Sequence, residues 1–416
     1  MPEPLLSRRA LLLGGMEATY NTAVATTATA DALLVSEPRW SPNVAYLQRN
    51  LNRGSISPVA SMTGRKEATI TFNTEIRGNG KHASGLLANA PMLSRLLRAA
   101  GFSLTASAAA ISRPVQAVGL HQIDVAWATG GSVNTDVPVP YVLKVVTGGA
   151  AGTARIRIMS PVTGESSAAA GVVVPASGSM PVGTKGLTVT PTFTGNLVVG
   201  QTWFVSVLPA GFYMQPVSTG FESMTMRLYV DGVLHVMTGC RGTFSMSARA
   251  GELGSMSWTF TGQYSAPTDA PVPSNAVLEK ALPSMFEKAQ LSIDGYDVVV
   301  DNMSLDIRND IQIRPDANSP DGYLGTRLVG RAPTMGIDPE ATLISDHNFW
   351  SKLADAAQMP FTCRFGEKVG NTVYLMAPST QYTGLSYNDR NGISVLAAEM
   401  ALSGVMGDDE LLICFA

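Results

Sequence analysis

Residues 241–264 read RGTFSMSARAGELGSMSWTFTGQY. Phe244, Met246 and Ala248 alternate with Thr243, Ser245, Ser247 and Arg249. Past Gly251 and Glu252 the alternation resumes. Met256, Trp258, Phe260 and Tyr264 then fall on one side, and Ser255, Ser257, Thr259 and Thr261 on the other. A period of two is the signature of a strand, and a short Gly-containing break between two such runs predicts a hairpin. One face is apolar. The other is rich in hydroxyls and nearly uncharged. That combination narrows the search to β-proteins that do not rely on charge to keep a sheet face in water.

The scarcity of charge extends to the whole chain. Of 416 residues, 15% are charged, against about 25% in ordinary soluble domains. Mean hydropathy is +0.14, yet no apolar run reaches the ~20 residues of a membrane helix. Such a chain is expected to hide surface against copies of itself, because obligate interfaces are more apolar than free surface. The length implies two or three domains. Cys240, Cys363 and Cys414 are widely spaced, with no pattern for a disulfide framework or zinc. They fit assembly in a reducing cytosol. Ser7-Arg8-Arg9 before an apolar run resembles a twin-arginine export signal, but no cleavage site follows at the usual distance. The segment reads instead as an N-terminal arm.

Charge is also unevenly placed. Residues 1–113 carry a net +6 and residues 269–416 a net −10. Such complementary fields set the register of head-to-tail contacts, although two separately solvated patches give the same count.

The chain repeats itself weakly. Gly242 and Gly262 are matched by Gly384 and Gly404, with turn signals midway at 250–252 and 389–392. Trp258 and Phe260 then correspond to Met400 and Leu402. A second pair agrees: residues 91–100 place apolar side chains at 92, 93, 96, 97 and 100, and residues 348–357 place them at 349, 350, 353, 354 and 357. Both are one-faced helices in the same phase. Each follows an extended segment, 67–77 or 324–334, and precedes a short apolar run. The expected fold is mainly β, with two duplicated β-sandwich modules, each flanked by a helix.

The first module is interrupted. Residues 114–214 contain only seven charged residues, and short β-rich runs recur at 123–128, 141–146, 154–159, 187–190 and 202–208. This spacing predicts an inserted β-sandwich of immunoglobulin-like size. The expected domains are therefore 1–113 with 215–268, the insertion 114–214, and 269–416. Residues 303–324 look strand-like at both ends and turn-like from 314 to 322. A loop of that length is expected to contact a partner.

No chemistry is expected. Gly78-Asn79-Gly80-Lys81-His82-Ala83 fits GxGxxA, but the preceding strand alternates and no acidic residue follows about 20 positions on. Turn-forming glycines are the better reading. His82, His121, His235 and His347 lack metal or triad spacing. Asp408-Asp409-Glu410 reads as a solvated turn rather than a cation loop. The expectation is no catalytic residue, no cofactor and no metal.

These features resemble the major tail tube proteins of long-tailed bacteriophages. The resemblance rests on Tyr20-Asn21-Thr22, on RKEATITFNTEIRGNGK at 65–81 followed by the short helix, and on RGTFSMSARAGELGSMSWTFTG. It implies stacked rings whose inner sheets join around a channel for DNA passage. A trimer with pseudo-sixfold symmetry is favoured over a hexamer. The implied partners are further copies of the chain, tape measure protein, tail terminator and distal tail proteins. DNA passes without sequence-specific binding, and no membrane is involved. The implied location is the virion tail, assembled in the host cytoplasm. In that setting Ser245, Ser247, Ser255, Ser257, Thr259 and Thr261 are expected to face the channel, and Arg314, Asp316, Asn318 and Asp321 to lie on an inter-ring loop. The alternative is an extracellular multi-domain β adhesin, which predicts a processed export signal.

Overall fold

In the computed structural model, residues 4–80, 90–112, 115–118, 127–160, 162–192, 195–319 and 322–416 are described. Eight antiparallel strands build one continuous wall within a larger sheet. They are β1 (Ser36–Leu47), β2 (Met62–Glu75), β3 (Val233–Arg249), β4 (Ser255–Tyr264), β5 (Asn302–Asp306), β6 (Thr334–Ile337), β7 (Val373–Arg390) and β8 (Ile393–Leu402). Their order across the wall is β1-β2-β4-β3-β5-β6-β8-β7. Helices α1 (Met92–Ala99) and α2 (Phe349–Ala354) follow β2 and β6 respectively. The pattern strand, strand, helix, hairpin therefore occurs twice, and β3 against β5 is the join.

The predicted hairpin is β3–β4, with Phe244 opposite Trp258 and Met246 opposite Met256. Its turn uses Gly251 at φ +76°, a left-handed conformation that glycine adopts without a Cβ penalty. Its apolar residues 244, 246, 248, 256, 258 and 260 are buried, while Tyr264 is half-buried. They pack with Leu93, Leu96 and Leu97 of α1 in one core. Each large side chain buried in this way contributes about 1.5–3 kcal/mol. Inside that core the Trp258 indole donates to Thr74 Oγ1 at 2.9 Å.

The matching hairpin β7–β8 turns at Asn391 (φ +55°) and Gly392 (φ +86°), the two-residue turn that suits the twist of paired strands. Both long strands leave an outer layer to enter the wall. β3 pairs first with Met224–Val230 and then with β5. β7 pairs first with Gln358–Phe365. Bulges at 238–241 opposite β4 and at 382–384 opposite β8 mark the bends, as bulges commonly do.

Within 110–208, a seven-stranded and a three-stranded sheet enclose a separate core that includes Trp127, Tyr141, Leu143, Ile156, Val189 and Trp203. Of the run expected at 123–128, residues 123–126 lie outside the described residues, and the strand found there is Trp127–Gly131. The strands leading in and out, Phe102–Ser107 and Gly211–Pro216, pair antiparallel from Gly211 opposite Ser107 to Pro216 opposite Phe102.

One expectation needs correction. Residues 10–16 do not form a free arm. Ala10–Met16 is a strand paired with Met224–Val230, and Leu12 and Leu13 are buried. Burial of these leucines fixes the segment to its own chain. The segment 303–324 is strand-like at its ends and turn-like between, as its sequence reads: Asn309–Pro315 and Tyr323–Arg331 form a two-stranded ribbon.

Candidate assembly surface

The hydroxyl residues of the hairpin lie on the wall face opposite the core. Ser247, Ser257 and Thr259 are exposed, and Ser245, Ser255 and Thr261 are half-buried. Cross-strand pairing sets them in rows. Ser257 lies between Asn73 and Ser245, and Ser245 lies opposite Asp306. Ser255 and Ser247 continue to Ser304, Gly336, Glu399 and Gly384. The hydroxyls bond laterally: Ser247 and Ser255 at 2.9 Å, and Ser257 to Asn73 Oδ1 at 2.7 Å. The second half does not repeat this chemistry. Asp306, Ala397, Glu399 and Ala401 occupy its matching rows, so Asp306 and Glu399 bring carboxylates into rows that hold hydroxyls in the hairpin β3–β4. Arg249 sits at the end of β3, exposed, and donates to Asp301.

The wall has two open edges. Among the described residues β1 pairs only with β2. Residues 382–390 of β7 pair, among the described residues, only with β8, because pairing to Gln358–Phe365 ends at Gln381. Beside the second edge the Trp350 and Tyr387 rings meet at 5.1 Å, tilted by 45°, and both are exposed. Open strand edges are templates for pairing with another chain. These edges were missed in the sequence, although the Asn391-Gly392 turn marks where the second strand ends.

The loop candidates occupy the ribbon. Arg314 is exposed opposite Gly325. Asp316 closes the tip by accepting from the Asn318 backbone at 3.0 Å and from Ser319 Oγ at 3.1 Å. Those bonds hold its carboxyl below the usual range. Asp321 lies outside the described residues. The base of the ribbon is pinned to the first half of the chain. Arg241 stacks over Tyr20 at 4.4 Å and donates to the Thr326 carbonyl at 2.7 Å. Tyr20 Oη accepts from the Thr326 backbone, and Asn309 donates to the Ala100 and Gly242 carbonyls. This clasp gave no sequence signal because its members are 67 to 306 residues apart.

A buried node joins the inserted sheets to α2. Lys144 and Lys352 both donate to Asp294 Oδ2, at 3.1 and 2.7 Å. Burial by itself would raise this carboxyl, but the two ammonium groups outweigh it and hold it below its usual range. His347 lies between Tyr296 and Phe349. Burial, reinforced by Lys352, pushes it down to about 4.

The other motifs have structural work. A Cβ at Gly78 would meet the Gly370 carbonyl at 2.4 Å, so glycine permits a close backbone approach there. Residues 81–83 of that motif, and His121, lie outside the described residues. Asp408 and Glu410 bind Arg331. Among the described residues no group of three or more His, Cys, Asp or Glu is placed to hold a metal, and no helix is long and apolar enough to cross a membrane.

A sheet wall open at both edges, backed by a helix layer, defines a β-rich subunit shaped for lateral contact. A family model described as phage tail tube protein matches residues 7–384. The chain belongs to that family, a structural family whose members assemble into the virion tail. No curated protein matches it. The match gives no support to the adhesin alternative.

Proposed function

We propose that the chain closes rings of three copies, each supplying eight wall strands, and that the rings stack around a channel for DNA. The observation that carries this is the internal join of β3 to β5 together with the two unpaired edges. If β1 corresponds to β5 and β7 to β3, the same join made between copies pairs 382–390 of one chain with β1 of the next. Pairing removes both edges, as closure of a barrel requires.

In this reading 1–113 with 215–268 and 269–416 are duplicated tube modules, and 114–214 is an immunoglobulin-like domain on the outside. Ser245, Ser247, Ser255, Ser257, Thr259 and Thr261 line the bore. Phosphate affinity grows with the number of Lys/Arg contacts, so this lining lets DNA slide. The ribbon tip, with Arg314, Asp316 and Asn318, points to the adjacent ring. The tube ends meet tape measure, terminator and distal tail proteins, and assembly precedes release from the host cytoplasm.

End-on electron micrographs of the purified protein test the proposal. Threefold rings with a bore of about 40 Å are expected. A protein that stays monomeric at high concentration refutes the reading.

A further inference from the structure

We infer that Arg39 of one copy and Glu399 of the next form an ion pair over Gly384, and that this pair selects the head-to-tail contact between copies. The inference rests on the ring reading and adds to it a register and a chemical choice of partner.

The internal join supplies the register. The repeat matches Met400 to Trp258, and therefore Glu399 to Ser257 and Ala401 to Thr259. Ser257 lies opposite Ser245 and Glu399 opposite Gly384, so Gly384 matches Ser245. Thr259 lies opposite Thr71, which lies opposite Arg39. Ala401 lies opposite Thr334, which lies opposite Asp306. Arg39 therefore matches Asp306. Across the join Ser245 faces Asp306. The same join made between copies sets Arg39 of one opposite Gly384 of the other.

The side chains suit that position. Arg39 lies opposite Thr71 on the hydroxyl face, while its neighbour Trp40 packs against the core. Glu399 is on the same face, between the buried Ala398 and Met400. Its carboxylate leans toward the open edge, with Oε2 at 3.6 Å from where a Cβ on Gly384 would stand. Arg39 and Glu399 are both exposed, and among the described residues neither has an ion-pair partner in its own chain. In the paired copies two strand spacings, about 10 Å, separate them. At most row positions an intervening side chain blocks such a contact. Gly384 has none, so carboxylate and guanidinium meet above it.

The pair decides which edges join. β1 carries Pro38 and Pro42, and proline on an edge strand discourages indiscriminate pairing. An edge that paired with its own kind would set Glu399 against Glu399 or Arg39 against Arg39, and like charges facing each other destabilise a sheet. Such isologous pairs stop at dimers, whereas the heterologous pair repeats until a ring closes. Opposite charges on the two edges favour the second. The pair also occupies Arg39, whose free guanidinium would otherwise offer a phosphate contact in the bore.

Full-length Arg39→Glu, Glu399→Arg and the double variant are compared with wild type for ring yield in micrographs at low ionic strength. Both positions are exposed, so circular dichroism should be unchanged in all three. Each single variant should lose rings severalfold, and the double variant should recover most of them, because the exchanged charges still attract. A chain carrying both Arg39→Cys and Gly384→Cys reads the register. The native cysteines are buried, and directly opposed positions of this kind hold Cα atoms about 4.5 Å apart, within disulfide range. Disulfide-linked oligomers are expected in rings and none in unassembled protein. Wild-type rings with both single variants at wild-type yield, or a double variant no better than the singles, overturn the pair and leave ring closure standing. Rings without the cross-link overturn the register. Wild-type protein that makes no rings overturns the ring reading and the pair together.

Discussion

Lys144, in the inserted sheets, donates to Asp294, in the last third of the chain, at 3.1 Å. One buried carboxylate thereby ties two parts of the molecule that have separate cores. Around it, Met159 and Phe204 of the insertion pack with Tyr374 and Met376 of β7. The insertion is held by an apolar contact and given its orientation by charge.

Removing that charge should loosen the joint. Asp294→Asn leaves Lys144 and Lys352 without their counter-ion, and breaking a buried pair costs about 3 kcal/mol. Hydrogen exchange in Val139–Thr147 and Thr202–Leu208 should quicken, with β3 and β4 little changed. Equal protection in the variant would show that the apolar contact suffices.

His347 should make stability depend on pH. Its ordinary value is 6.5 and the fold lowers it to about 4. Between those values the unfolded chain binds more protons, so stability is full above pH 6.5 and is lost as pH falls toward 4. Thermal melts from pH 7 to pH 4 should show this slope, and His347→Gln should flatten it.

The Trp258 indole N–H donates to Thr74 Oγ1. Thr74→Val keeps the volume but strands a buried N–H, at a cost of about 1–3 kcal/mol. Denaturant unfolding of the free subunit reads the loss, and Thr74→Ser should recover most of it.

Gly262 faces the backbone of the partner strand. A Cβ there would stand 2.7 Å from both the Thr238 carbonyl and Cys240 Sγ. Gly262→Ala should destabilise by about 1–3 kcal/mol, as overpacking does, measurable as a lowered melting midpoint.

Edge pairing has its own test. In the two-residue turn at 391–392, residues 390, 388 and 386 direct their N–H groups into the hairpin, and 389, 387 and 385 direct theirs outward. Tyr387→Pro therefore removes an outward donor and spares the hairpin. The subunit should remain folded by circular dichroism and fail to form rings in micrographs. Rings of normal yield would exclude 382–390 as a joining edge.

Much of this architecture was legible because local periodicity carries it. The alternation through Phe244 and Trp258 fixed a strand face, and the spacing of Leu93, Leu96 and Leu97 fixed a helix face. Contacts between distant segments left no such trace. The pairing of Ser245 with Asp306 depends on which strands meet, and no local pattern encodes that. The run Leu11-Leu12-Leu13 looked like part of a leader because an apolar stretch has the same composition whether it crosses a membrane or enters a core. The strand-like ends and turn-like middle of the ribbon were legible, but the pairing of Asn309–Pro315 with Tyr323–Arg331 was not. The hydroxyl face was readable as a face, but its acidic counterpart at Asp306 and Glu399 appears only once the second half is set beside the first.

The pairing of Gly211 with Ser107 bears on the order in which the chain folds. β2 must find β4 across nearly two hundred residues, and contacts so distant in sequence form slowly. If the inserted sheets fold first, they bring Phe102–Ser107 and Gly211–Pro216 side by side. The search then spans a much shorter effective loop, and the closure entropy falls accordingly. The inserted sheets would in that case act as a clamp on the nascent chain.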